Sequence, residues 1–208
     1  MKVLLVNGSS NLKGCTYTAL CEVAKVLEEN EIETEIVQLG NGPIRDCIGC
    51  GVCRNNGGVC AFNEDNVNAF IEKAKTADGF VFGSPVYYAH PSGRLLSFMD
   101  RAFFAGKKHF EYKPAAAVVS ARRAGTTGSL DVITKHFTIS NMPVVSSSYW
   151  NMVHGNSPDE VRQDLEGMHT MRNLGRNMAW LLKCIEVSRL YNIKLPQPEE
   201  KVWTNFIR

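Results

Sequence analysis

The chain has 208 residues, of which 44% are hydrophobic and 21% charged, and its formal net charge is +2. That length supports one domain with a full hydrophobic core, and so balanced a charge offers no concentrated basic face for nucleic acid. The opening apolar run of Val3, Leu4, Leu5 and Val6 is too short for an export signal. No stretch approaches the roughly 18 apolar residues of a membrane span, so the expected location is cytoplasmic, with no membrane partner.

Short apolar runs alternate with longer helical patterns. Residues 2–7 read as a strand buried on both faces, because the apolar run does not alternate. Residues 16–30 carry Leu20, Val23, Ala24 and Leu27 on one helical face, and residues 34–39 alternate as an edge strand does. A Gly- and Cys-rich loop spans about 40–63. A helix over 65–76 follows, with Val67, Phe70, Ile71 and Ala74 inward, then a strand over 79–83 and a loop over 84–91. Residues 94–104 read as a helix, 115–120 as a strand, 125–128 as the opening of a helix and 143–146 as a short last strand. Residues 159–190 form one long helix or two, the first part of a C-terminal helical extension over about 157–208. Five strands alternating with helices imply a single α/β domain over 1–208, a doubly wound parallel sheet with right-handed crossovers. An interior first strand and an edge second strand fit the order 2-1-3-4-5.

In such sheets ligands bind beyond the carboxyl ends of the strands, near the point where strand order reverses. The loop after the first strand, Asn7 to Thr18, is rich in small residues and hydroxyls and runs into a helix start. Its backbone N–H groups and hydroxyls make an anion site sized for one phosphate. It is neither G-x-G-x-x-G nor G-x-x-x-x-G-K-S/T, which speaks against a classical dinucleotide fold and a P-loop ATPase. After the third strand, Pro85, Tyr87 and Tyr88 offer surfaces for a planar ring. After the fourth, Arg122 and Arg123 precede Gly125 and offer positive charge.

The seven cysteines, an odd number in a chain without an export signal, argue against a disulfide framework. Cys47, Cys50, Cys53 and Cys60 form C-x2-C-x2-C-x6-C, a spacing related to that of bacterial ferredoxins but distinct from it. Thiolates three residues apart can converge on a cubane. The same four can hold tetrahedral zinc, or stay metal-free or peroxide-sensitive. Cys21 and Cys184 lie in helical patterns and read as core.

Taken together, Gly8-Ser9-Ser10, the Cys47 to Cys60 run, Ser84-Pro85-Val86-Tyr87-Tyr88, Asp100-Arg101, the Ser120 to Gly125 run and Tyr149-Trp150-Asn151 resemble the flavodoxin-like NAD(P)H-dependent FMN reductases. The iron–sulfur flavoproteins are the nearest branch, and the match covers roughly residues 1–155. The resemblance implies that Ser9, Asn11, Cys15, Thr16 and Thr18 hold an FMN phosphate. It implies that Pro85, Val86, Tyr87 and Tyr88 touch the isoalloxazine, and that Ser120, Arg122 and Gly125 of the fourth-strand loop also belong to the flavin site. Ser10, Asn11 and Cys15 depart from residues common in the family. The resemblance also implies a 4Fe–4S cluster on Cys47, Cys50, Cys53 and Cys60, lying after the second strand on the flavin's side.

The expected function is that of an FMN-dependent oxidoreductase or electron-transfer flavoprotein. Its donor is NAD(P)H or ferredoxin, and its acceptor a small molecule or a protein. No general base or nucleophile is assigned, since the cofactor carries the chemistry, and His90 and His154 read as structural or solvated. The alternatives are a cluster-free NAD(P)H-dependent FMN or quinone reductase and a non-catalytic flavin- or zinc-binding redox sensor. The apolar stripe of Val161, Leu165, Met168, Met171, Leu174, Met178, Leu181 and Ile185 is longer than one helix needs to cover the sheet. It predicts a homodimer or homotetramer.

Overall fold

A computed structural model describes residues 1–200 and 202–205; residues 201 and 206–208, at the end of the predicted C-terminal extension, lie outside the described residues. The elements are β1 (Lys2–Asn7), α1 (Cys15–Glu29), β2 (Glu33–Gln38), the single turn α2 (Val52–Asn55), α3 (Val67–Thr76), β3 (Gly79–Tyr87) and β4 (His90–Pro91). Then follow α4 (Gly93–Gly106), β5 (Ala115–Ala121), α5 (Thr126–Thr138), β6 (Met152–His154), α6 (Pro158–Gln163) and α7 (Leu165–Leu190).

The sheet order is β2-β1-β3-β5-β6, all parallel, with the two-residue β4 turned back antiparallel on the end of β3. This is the flavodoxin-like order expected from the sequence, with one hairpin strand added. Alternation along the buried strands sorts side chains onto two faces. Leu4, Val6, Phe80, Phe82, Ala115, Ala117 and Val119 meet α3, α4 and α5. Val3, Leu5, Val81, Ala116 and Val118 meet α1 and α7. Aromatic rings fill the first face, Phe70 packing 5.0 Å from Phe98 and Phe103 stacking 4.4 Å from Phe110.

Three boundaries differ from the sequence reading. β3 runs on to Tyr87, because Pro85 still pairs with Ser120 before the chain folds into the β4 hairpin. The last strand is not at 143–146, where only Val144 bridges to Ala115; the chain then bulges outward through Tyr149 and Trp150 and rejoins β5 at Met152–His154. The small side chains of β5 admit a parallel neighbour at either end, so the apolar run at 143–146 did not identify the paired segment. The helical extension expected to about residue 208 ends at Leu190, while 159–190 holds two helices, one of the two forms expected. Asp164 caps α7 by accepting from the Gly167 N–H, and the described residues beyond Leu190 form no helix or strand, with Pro196 and Pro198 unable to donate backbone hydrogen bonds.

Most of the apolar stripe is consumed inside the domain. Val161, Met168, Met171, Leu174 and Met178 are buried beneath α1, whereas Leu165 is 75% exposed. Gly175 lets the two helices approach closely: a β-carbon there would lie 2.8 Å from Val26 Cβ and 3.1 Å from the Val23 carbonyl. Replacing Gly175 with valine is expected to lower unfolding free energy by about 1–3 kcal/mol through overpacking, read as a lower urea midpoint at unchanged slope.

Candidate functional site

The site is built at the carboxyl edge, where β1 and β3 part company. Gly8 donates to the Gly83 carbonyl at 2.8 Å, and Ser92 Oγ donates to the Gly8 carbonyl at 2.7 Å. A β-carbon on Gly8 would lie 2.9 Å from the Gly83 oxygen and 2.8 Å from Leu95 Cβ, so the two strand ends meet without side chains between them. The first loop is then folded by its own polar groups. Asn7 Oδ1 accepts from Ser9 N–H at 3.1 Å, Ser9 Oγ from Asn11 N–H at 3.1 Å, and Asn11 Oδ1 from Lys13 N–H at 3.3 Å. These turns leave α1 to begin at Gly14 with no side-chain cap. The first amides of this 15-residue helix therefore face the cleft with the positive end of the helix dipole behind them.

Ser9, Asn11, Cys15, Thr16, Pro85, Val86, Tyr87, Ser120 and Arg122, nine residues singled out in the sequence, line one cleft. The buried hydroxyls of Thr16 and Ser120 share a 2.8 Å hydrogen bond that ties α1 to the end of β5. Tyr87 Oη lies 2.9 Å from Ser10 Oγ and 3.5 Å from Ser9 Oγ, joining the third loop to the first. Burial pushes this phenol up, yet the hydrogen bonds from Ser10 and Ser9 and the charge of Arg94 bring it below its ordinary value.

Thr18, Tyr88 and Gly125 are not on the cleft wall. Thr18 points into α1 and donates to the Gly14 carbonyl at 3.1 Å, because it sits one turn below the helix start. Tyr88 is fully exposed at the hairpin tip, with φ 61°. Gly125 shapes the fourth loop from behind: its φ is +88°, and a β-carbon would come within 2.9 Å of Val86 Cγ1. Gly155, Asn156 and Pro158 also line the cleft and were missed in the sequence. They follow β6, so misplacing that strand hid them. Cys15 Sγ donates to the Gly155 carbonyl at 3.5 Å. His90 Nδ1 lies 2.6 Å from the Pro91 carbonyl, and His154 Nδ1 is 3.9 Å from Asp164.

Cys47, Cys50, Cys53 and Cys60 line a second cavity together with Arg101, Phe62, Phe104 and Ala105. Gly49 and Gly51, with φ of 65° and 72°, turn the backbone between the first three thiols. Asn68 clamps Cys60, accepting from its N–H at 2.8 Å and donating to its carbonyl at 3.0 Å. Burial pushes the Cys53 thiol up, and the nearby thiols of Cys60, Cys47 and Cys50 add to the rise. Among the described residues, no three His, Cys, Asp or Glu side chains converge closely enough to hold a single metal ion.

This cavity and the carboxyl-edge cleft share no lining residue. The cysteine loop leaves the carboxyl edge after β2 but doubles back along α4, which starts at that edge with Ser92 capping it. Arg101, nine residues further on, stands about 13 Å down the helix at 1.5 Å per residue. Cys184, read as core, is exposed on α7, whereas Cys21 is half-buried.

The parallel sheet in this order, with three loops around an uncapped helix start at its switch point, is that of the flavodoxin-like proteins. Residues 1–157 match the NADPH-dependent FMN reductase family, and the chain belongs to that family. It is accordingly an FMN-dependent oxidoreductase. An iron–sulfur flavoprotein of Methanocaldococcus jannaschii is 32% identical to it, covering 89% of this chain and 100% of that one. An iron–sulfur flavoprotein of Methanosarcina thermophila is 27% identical over 91% of this chain and 99% of its own length. Among solved structures, an NAD(P)H:quinone oxidoreductase from Methanothermobacter marburgensis superposes with a TM-score of 0.63 at 17% identity, over 86% of this chain and 98% of that one. No helix among the described residues is long and apolar enough to cross a membrane.

Burial pushes the Cys15 thiol up, a backbone hydrogen bond opposes this in part, and the charge of Glu160 adds to the rise. In the chain freed of metal and flavin, limited iodoacetamide labelling near pH 8 is therefore expected to mark the exposed Cys50 and Cys184 before Cys15. Labelling of Cys15 should climb only as the pH is raised further, as read by peptide mass mapping.

Proposed function

We propose that this chain binds FMN in the carboxyl-edge cleft, carries a 4Fe–4S cluster on Cys47, Cys50, Cys53 and Cys60, and passes electrons from NAD(P)H to a small-molecule or protein acceptor. The residues present fit an FMN phosphate. The uncapped amides of Cys15 and Thr16, with Ser9 and Asn11, offer donors to a dianion, while Thr18 holds the Gly14 carbonyl away from it. Pro85, Val86 and Tyr87 supply a wall for a flat ring. Tyr88 stands at the tip above it, and Ser120, Arg122 and the loop turned by Gly125 bring polar and positive groups to the opposite side. Bound FMN supplies hydride and single-electron transfer, and a cluster supplies single-electron exchange.

The observation that carries the cluster reading is that all four cysteines line one cavity. They do so without three of them converging on one ion. The C-x2-C-x2-C-x6-C spacing, related to that of bacterial ferredoxins, favours a cluster over zinc. The names of the archaeal relatives point the same way. NAD(P)H is preferred over ferredoxin as donor because the family is described as NADPH-dependent. Clustered free thiols call for a reducing compartment, which supports a cytoplasmic location.

Anaerobic reconstitution is expected to give about four iron and four sulfide per chain, with FMN as the extracted flavin. Cys50→Ser should abolish the broad cluster absorption and leave FMN bound. Retention of zinc alone, or of no metal, overturns the cluster; FAD, or no flavin, overturns the cleft assignment. Anaerobic reduction of ferricyanide or a quinone by NADPH is expected in steady state, and its absence would favour the sensor reading.

The exposed Trp180, Val187 and Leu190 at the far end of α7 support self-association into a dimer or tetramer. Analytical ultracentrifugation at micromolar concentration is expected to show it, and a monomer would overturn this part. An interface would also offer a second route between cluster and flavin, beside the one within the chain.

A further inference from the structure

Arg101 is buried, with only 1% of its surface exposed, and none of the chemistry above uses it. It stands on α4, yet its guanidinium spends its hydrogen bonds on the cysteine loop. Nη1 meets the Asp65 carboxylate and donates to the Arg45 carbonyl at 3.3 Å, and Nη2 donates to the Phe62 carbonyl at 2.9 Å. The group also lies 5.4 Å from the centre of the Phe62 ring. These contacts suffice to fasten a loop to a helix. The remaining donor does something else: Nε–H points at Cys60 Sγ, 3.2 Å away, on the wall of the cysteine cavity.

Reduction adds one negative charge to a cluster, and a cation donating a hydrogen bond to a ligand sulfur stabilises that charge. Hydrogen bonds to the sulfurs and net local charge are known levers on cluster potential. Asp65 opposes this, because its carboxylate partly cancels the guanidinium's field at the sulfur. Resting on the cluster reading above, we propose that Arg101 is a positioning residue that holds Cys60 for the cluster and raises the cluster's reduction potential, with Asp65 setting how much of its charge the sulfur feels.

Two substitutions at the same contact then act in opposite directions. Arg101→Gln removes the charge and the Nε–H donor. Asp65→Asn keeps Arg101 and unmasks it. Simple loosening of the loop would move the potential the same way in both.

The experiment is a redox titration of the full chain, loaded anaerobically with iron, sulfide and FMN. Electron paramagnetic resonance follows the reduced cluster, and absorbance follows the flavin in the same sample. In Arg101→Gln the reduced-to-oxidised cluster ratio at a fixed poise should fall about tenfold, which for a one-electron couple is about 59 mV. Asp65→Asn should raise it, Arg101→Lys should recover part of the loss, and the flavin midpoint should hold in all three. If Arg101→Gln does not fold, the upward shift in Asp65→Asn tests the proposal by itself. Shifts of the same sign in Gln and Asn variants, or shifts shared with the flavin, overturn it and leave Arg101 a fastening only. A wild-type chain that takes up no cluster overturns the underlying reading and this proposal with it. A loaded wild type with unshifted variants overturns the proposal alone.

Discussion

The contact between Gly8 and Gly83 governs the carboxyl edge of this sheet. A 2.8 Å hydrogen bond joins their backbones, and neither position has room for a β-carbon: on Gly83 it would meet Leu20 and Thr16, on Gly8 the Gly83 oxygen and Leu95. With the strand ends drawn together, the first loop has to rise away from the sheet, and α1 begins without a cap. Ser92 reaches back to the Gly8 carbonyl and also caps α4, so one short network orients the helix after β1 and the helix after β3. The cleft is the space those two departures leave, and the uncapped amides that face it are backbone donors not satisfied by a side-chain cap.

The cysteine cavity depends on a different constraint, the burial of a cation. A guanidinium this far from water requires a carboxylate and several carbonyls, and Arg101 finds all of them in the loop between β2 and α3. That demand pulls the loop down along α4 instead of letting it stand over the cleft. The same residue also meets Cys60 on the cavity wall. Anchoring one loop to the side of one helix gives this chain a thiol-lined cavity as well as the cleft at the strand ends.

The strands and helices were readable where their patterning was strong. Val3 to Val6 without alternation gave a central strand, and Val67, Phe70, Ile71 and Ala74 gave the inward face of α3. The nine cleft residues were readable because they stand in two loops, a helix start and two strand ends that topology assigns to one edge. The failures have a common cause. The segment at 143–146 has the composition of a strand, yet pairing went to Met152–His154, and with it went Gly155, Asn156 and Pro158. Thr18 and Tyr88 lie off the cleft wall, one a helical turn below the loop and the other at a hairpin tip.

From the sequence alone followed the parallel doubly wound sheet, its order, the placement of the loop after the first strand at the cleft, and a four-cysteine motif of metal-binding spacing. These are local properties: periodicity, residue size and the interval between like residues along the chain. Tertiary structure decided which segment closes the sheet, that the apolar stripe of α7 is spent on α1, and that the cysteines lie along α4. It also decided that Arg101 touches Cys60, 41 positions away in the chain. Such contacts depend on where a buried charge and a fixed β-carbon have room, and neighbours in the sequence carry no record of that space.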